Sequence, residues 1–296
     1  MKYLILIISF FYISATQTAN ADVIALKAGH IIMPESGITL NNKVILIEGE
    51  RITAILESMP ENGVETIIDL SDKWVLPGLM DMHTHLTADM TVVGASMTSD
   101  TTNKSASYRA LIGAQMALEM LNGGFTTVRD IGNASEYADT ALREAITEGR
   151  INGPTIYNSG KIISVFGGQS RGVAPEREGL WNQEYIDVES PDDMRRAIHK
   201  NIYYGATFIK LVVGDNVYSL SDEAMQAAVS EAKRMGMKVA AHAWGEEQSA
   251  RAVRAGVASI EHGFGISNET LKLMKEKGTY LAGTEFPVRY LNLYWN

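Results

Sequence analysis

His83 and His85 stand one residue apart in the stretch Leu79-Met80-Asp81-Met82-His83-Thr84-His85. If this stretch is a strand, alternate side chains share a face, and both imidazoles can turn toward one metal ion. Two histidines on one strand face can equally hydrogen-bond locally. His242 and His262 close two further apolar stretches, at residues 239–243 and 258–262, where each gives way to a glycine-containing loop. His30 and His199 do not share this placement: His199 falls on a helix surface and His30 near the N-terminus. Lys210 interrupts the apolar run Phe208-Ile209-Lys210-Leu211-Val212-Val213. A buried ammonium is costly, so it finds a partner or loses its proton. One reading pairs Lys210 with a carboxylate such as Asp130. The other has a neutral Lys210 react with CO2, giving a carbamate long enough to bridge two metal ions. Four histidines at strand ends favour the carbamate.

These side chains need elements to position them. Residues 22–76 read as short strands at 23–26, 43–47, 52–56 and 66–69, punctuated by Gly29, Asn41-Asn42, Gly49 and Asn62-Gly63. After Pro77-Gly78 the rhythm becomes strand, helix, strand, helix. Strands are expected at 79–83, 126–130, 155–159, 208–213, 238–243, 258–262 and 279–283. Ser190-Pro191-Asp192-Asp193 supplies an N-cap, a proline at the first helical position and acids in the first turn. After Ser221, Met225, Ala228, Val229, Ala232 and Met235 fall on one helical face, and Gly236 ends it. Apolar strands alternating with amphipathic helices imply a parallel sheet covered by helices. Repetition favours a (β/α)8 barrel, of which seven strands are visible. In such barrels the chemistry sits at the C-terminal strand ends, where these histidines lie.

A chain of 296 residues with 46% hydrophobic content can bury a sizeable core. The formal charge of −9 argues against a nucleic-acid partner, which calls for clustered Lys and Arg. There is no cysteine, which excludes disulfides and thiolate ligands. Lys2, the apolar run from Tyr3 to Ile13 and Ala19-Asn20-Ala21 describe a secretory signal peptide over residues 1–21. The run is too short to span a membrane, which needs about 20 apolar residues. The mature chain is expected to begin at Asp22, in the periplasm or secreted.

Pro77-Gly78-Leu79-Met80-Asp81-Met82-His83-Thr84-His85-Leu86 resembles the first-strand signature of the amidohydrolase superfamily. Gly124-Phe125-Thr126-Thr127-Val128-Arg129-Asp130, Ile209-Lys210-Leu211, Ala241-His242-Ala243 and Ser259-Ile260-Glu261-His262-Gly263 continue it in family order. The resemblance runs from about Asp22 to Pro287, and is strongest to the imidazolonepropionase-like and Xaa-Pro dipeptidase-like branch. It implies a TIM-type (β/α)8 barrel over residues 77–296 and a small β-sandwich domain over 22–76. It further implies zinc as one or two divalent ions, with His83 and His85 on the more buried ion. His242 and His262 would take the second, with carboxylated Lys210 between the two. The implied reaction is hydrolysis of a C–N bond in a dipeptide, N-acyl amino acid or cyclic amide by a metal-activated water. Two departures stand out. The loop Phe166-Gly167-Gly168-Gln169-Ser170 lacks a histidine that related sequences commonly carry. No eighth strand with its ligand aspartate is seen before Asn296, and Asp81 and Asp130 are poor substitutes. The chain therefore reads as C-terminally truncated, and the alternative to an active hydrolase is an inactive form that at most binds metal.

Overall fold

The computed structural model describes residues 22–88, 101, 103–132, 135–169, 174–214 and 218–284. The expected signal peptide and the residues after 284 lie outside the described residues. The chain divides into two compact units, Met1–Pro77 and Gly78–Asn296.

In the first unit, strands β1 (Val23–Met33), β2 (Ile38–Glu48), β3 (Arg51–Leu56) and β4 (Thr66–Val75) form one sheet in the order β3-β2-β1-β4. β1 runs antiparallel to β2 and parallel to β4. Among the described residues this is a single four-stranded layer, where a sandwich was expected. Two expected turns are also corrected. Gly29 lies inside β1 at a register shift against β4, and a Cβ there would sit 2.2 Å from the Ser71 carbonyl oxygen. Close backbone approach, not a turn, is what requires glycine at this point. Asn41 and Asn42 lie inside β2, with Asn42 at φ 51°, and the chain reverses instead before Gly37 at φ 70°.

The second unit alternates strands and helices. Its strands are β5 (Leu79–Thr84), β6 (Phe125–Asp130), β7 (Thr155–Asn158), β8 (Ile162–Ser164), β9 (Tyr185–Asp187), β10 (Ile209–Val212), β11 (Val239–Ala243), β12 (Ser259–His262) and β13 (Tyr280–Ala282). Its helices are α1 (Ala106–Asn122), α2 (Ala138–Thr147), α3 (Glu178–Trp181), α4 (Pro191–Tyr203), α5 (Asp222–Arg234), α6 (Gly245–Ala255) and α7 (Asn268–Lys277). Two parallel sheets result, ordered β5-β6-β7 and β13-β12-β11-β10-β8-β9. The seven strands read from the sequence are present as β5, β6, β7, β10, β11, β12 and β13.

Local chemistry sets the helix starts. Ser190 and Asp193 form a reciprocal capping box with Pro191 in the first turn of α4. Ser221 caps α5 by accepting from the Ala224 N–H. Met235, expected on the buried face of α5, is instead exposed because it falls beyond the last helical residue, Arg234. β10 and β11 are buried along their whole length, as parallel strands covered by helices are. Ile209, Leu211, Val239 and Ala241 pack with Met194, Ile198, Met225 and Ala228 from α4 and α5. Each large apolar side chain buried this way contributes roughly 1.5–3 kcal/mol. That core clamps β10, β11 and β12, which carry Lys210, His242 and His262. No described helix is long and apolar enough to cross a membrane.

Candidate metal centre

β5 places His83 and His85 on one face, their ring centroids 5.2 Å apart. The His83 ring lies 4.7 Å from that of His262, which lies 4.4 Å from that of His242. Histidines from three strands are thus in mutual contact. Lys210, 2% exposed on β10, has Ala240 of β11 as its register partner, two residues before His242. Its charge acts on His83, His85 and His262 alike. All five residues singled out in the sequence therefore gather in one place. His199 does not join them; it pairs with Glu231 at 2.5 Å on a helix surface.

Bringing His262 into the cluster takes a break in the strand. Glu261 and His262 are neighbours on β12, so in a regular strand they would face opposite ways. His262 instead adopts φ 70°, in the left-handed region, followed by Gly263 at φ 66°. A bulky residue held there costs about 1–3 kcal/mol, and such strain concentrates at functional sites. The turn swings the ring back among the other histidines, where its Nδ1 meets Thr284 Oγ1 at 2.7 Å.

The electrostatics favour the neutral ring at His83, His85 and His262. Burial, with the charges of His83 and Lys210, pushes His85 down to about 3. Burial and the charges of His242, His83 and Lys210 bring His262 to about 2. Burial also lowers His83, against the opposing hydrogen bond to Glu261. Neutral imidazole is the form that ligates metals. The Nδ1 of His85 faces the Gly132 carbonyl at 3.3 Å. A carbonyl only accepts, so Nδ1 carries the proton and Nε2 keeps its lone pair.

Among the described residues, no three His, Asp or Glu side chains converge to hold an ion. The ligand set expected from the sequence is two imidazoles for each ion with a lysine between the ions. The donor chemistry of the cluster, four imidazoles beside a buried lysine, fits a divalent ion of zinc type.

Asp130, offered by the sequence as a partner for Lys210, is engaged elsewhere. Its Oδ1 accepts from the Leu86 N–H at 2.8 Å and from Thr84 Oγ1 at 3.4 Å. Burial, with the charge of Asp139, raises its pKa well above the usual carboxylate range. Asp81 accepts from the His83 N–H at 2.9 Å.

Four residues given no role in the sequence belong to this site. Glu261 is fully buried and contacts both His83 and Arg129, at 2.9 and 2.6 Å. Burial raises its pKa, but the hydrogen bond from His83 and the charges of Lys210 and Arg129 outweigh it and hold it at about 2. Gln169, in the loop where related sequences carry a histidine, puts its Nε2 3.4 Å from both ring nitrogens of His242. Trp244 and Phe264 follow the β11 and β12 histidines and are partly exposed beside their rings.

The amidohydrolase family model matches residues 74–293, about three quarters of the sequence and every strand of the second unit. The chain belongs to the amidohydrolase family. It is 30% identical to an ochratoxinase of Aspergillus niger over 299 aligned positions, covering 90% of this chain and 60% of that protein. Among solved structures it resembles a Xaa-Pro dipeptidase with bound methionine in the active site (TM-score 0.76, 33% identity, 88% of this chain and 66% of that one). It also resembles a prolidase complexed with N-methylphosphonate-L-proline (TM-score 0.79, 28% identity, 91% and 68%). The chain thus spans about 60% of the length of the ochratoxinase.

Proposed function

We propose that this protein is a metal-dependent hydrolase of amide or peptide bonds in small substrates such as dipeptides or N-acyl amino acids. Family membership and the hydrolases among its relatives support hydrolysis of a C–N bond. The observation that carries the metal reading is the gathering of His83, His85, His242 and His262 around the buried Lys210. His83 and His85 would hold one ion and His242 and His262 the other, with Lys210, carboxylated by CO2, bridging them. In this reading the two parallel sheets are arcs of one (β/α)8 barrel, with the cluster at its C-terminal end.

When bound, zinc ions supply a water of lowered pKa and polarise the scissile carbonyl. The chain's own residues do the rest. The neutral rings of His83, His85 and His262 would give their lone pairs without a proton having to leave at pH 7. The β10–β12 core keeps Lys210 out of water, which makes its neutral, CO2-reactive form accessible. Gln169 beside His242, with the aromatic faces of Trp244 and Phe264, lines the approach and would orient the acyl side of the substrate.

The test is equilibrium dialysis with zinc, followed by hydrolysis assays on a dipeptide and N-acyl amino acid panel. One to two ions per chain are expected, with turnover lost on chelation and in His85→Ala. Less than one ion bound, or hydrolysis indifferent to His85→Ala, would overturn the proposal. Stoichiometric zinc without turnover would favour an inactive metal binder instead.

A further inference from the structure

Glu261 is buried, yet both of its oxygens are in use. Oε1 accepts from Arg129 Nη2 and from Ser259 Oγ, each at 2.6 Å, while Oε2 faces His83 Nδ1 at 2.9 Å. Arg129 is itself held from two sides: Nε donates to the Met82 carbonyl at 2.7 Å and Nη1 to Ser259 Oγ at 3.0 Å. Its guanidinium also lies 5.5 Å from the centre of the Phe208 ring. One carboxylate therefore ties together β5, β6 and β12, which belong to two different sheets.

A carboxylate offers acceptors only. The nitrogen of His83 that faces it must carry the proton, which leaves the lone pair on Nε2. We infer that Glu261, fixed by Arg129 and Ser259, is a positioning residue that holds His83 as the Nδ1–H tautomer with Nε2 presented to a metal ion. The inference rests on the metal reading above and adds a residue to it. Partners of this kind fix ring orientation and raise ligand basicity, and losing one typically costs 10- to 100-fold in metal affinity.

The geometry makes Glu261→Gln a discriminating change. Arg129 and Ser259 both donate to one oxygen and His83 donates to the other, so the site demands an acceptor at each end. A glutamine of the same shape supplies an acceptor at one end and a donor at the other. With its oxygen toward Arg129, its amide N–H faces His83 Nδ1 and drives the ring proton to Nε2, the atom needed for the ion. A role confined to cross-linking the sheets would alter stability and leave the tautomer alone.

The experiment has two arms. Imidazole 15N NMR of the metal-free protein, with His83 assigned against His83→Gln, should show Nδ1–H in the unaltered chain; Nε2–H there would overturn the inference whether or not any variant folds. Zinc affinity by chelator competition should fall 10- to 100-fold in folded Glu261→Gln. Unchanged affinity in that folded variant would equally overturn it. An unaltered chain with Nδ1-protonated His83 that binds no zinc would overturn the metal reading, and with it the ion's part in the inference.

Discussion

Glu184→Gln should cost this protein a large share of its stability, and the reason can be followed atom by atom. Arg109 on α1 and Glu184, next to β9, are both wholly buried and form an ion pair through Nη1 and Oε1. Glu184 also accepts from Thr101 Oγ1 at 3.3 Å and from the Ser135 N–H at 3.4 Å. Arg109 in turn donates Nε to the Thr87 carbonyl at 2.9 Å, two residues after His85. Removing the negative charge leaves a guanidinium in the interior without the Glu184 countercharge. Breaking one side of such a pair costs about 3–5 kcal/mol, because the remaining ion stays buried and loses the charge it was paired with. At roughly 2–4 °C per kcal/mol for a domain of this size, Tm should fall by about 6–20 °C. Replacing both members, as Arg109→Met with Glu184→Leu, removes both buried charges together and should recover more than half of the loss. Urea denaturation of the two single variants and the double variant makes the cycle. A loss below about 1 kcal/mol in Glu184→Gln, or a double variant as unstable as the sum of the singles, would refute the reasoning.

Three further outcomes are expected. Lys210→Ala should lose at least one of the two ions and regain part of it when a short carboxylate such as acetate is added; elemental analysis showing both ions retained would exclude the carbamate. Gly132→Ala should lose about 1–3 kcal/mol by thermal melting, because its Cβ would meet Ile162 Cδ1 at 2.6 Å and φ there is 135°. It should also weaken zinc retention, since the Gly132 carbonyl fixes His85. Burial, opposed by hydrogen bonds from Asn158, Thr140 and Gly160, raises Asp139 to about 6. Its folded pKa lies above the unfolded value of about 3.9, so it favours the folded state below about pH 4, and that share fades as pH rises to about 6. About two pK units correspond to about 3 kcal/mol, and the difference in stability between the unaltered chain and Asp139→Asn should change over that window. A difference flat from pH 4 to 7 would contradict the assignment.

Much of this architecture is legible in the sequence because its signals are long or chemically loud. The seven main strands announce themselves as apolar runs between capped helices, and Lys210 stands out because a charge inside such a run demands an explanation. β8 and β9 escaped because three residues carry no periodicity. The turns assigned to Gly29 and Asn41-Asn42 failed because glycine and asparagine also serve inside strands, where a backbone comes close or φ turns positive. Gln169 was noticed only as a missing histidine; that its amide reaches His242 depends on a loop path no local pattern specifies.

Glu261 shows why the rest stayed hidden. Strand alternation assigns Glu261 and His262 to opposite faces, so choosing His262 for the site argues against its neighbour. Only the left-handed backbone at His262 admits both. On β6 the same rule works unbroken: Arg129 turns to Glu261, and adjacent Asp130 turns the other way, to Thr84 and the Leu86 N–H. The end of β5 is therefore gripped on both faces, by Glu261 and Arg129 where His83 points and by Asp130 where Thr84 points. A rigid H-x-H strand end asks for restraint from both sides, because two ligands one residue apart share a single backbone, and any twist that improves one ring displaces the other.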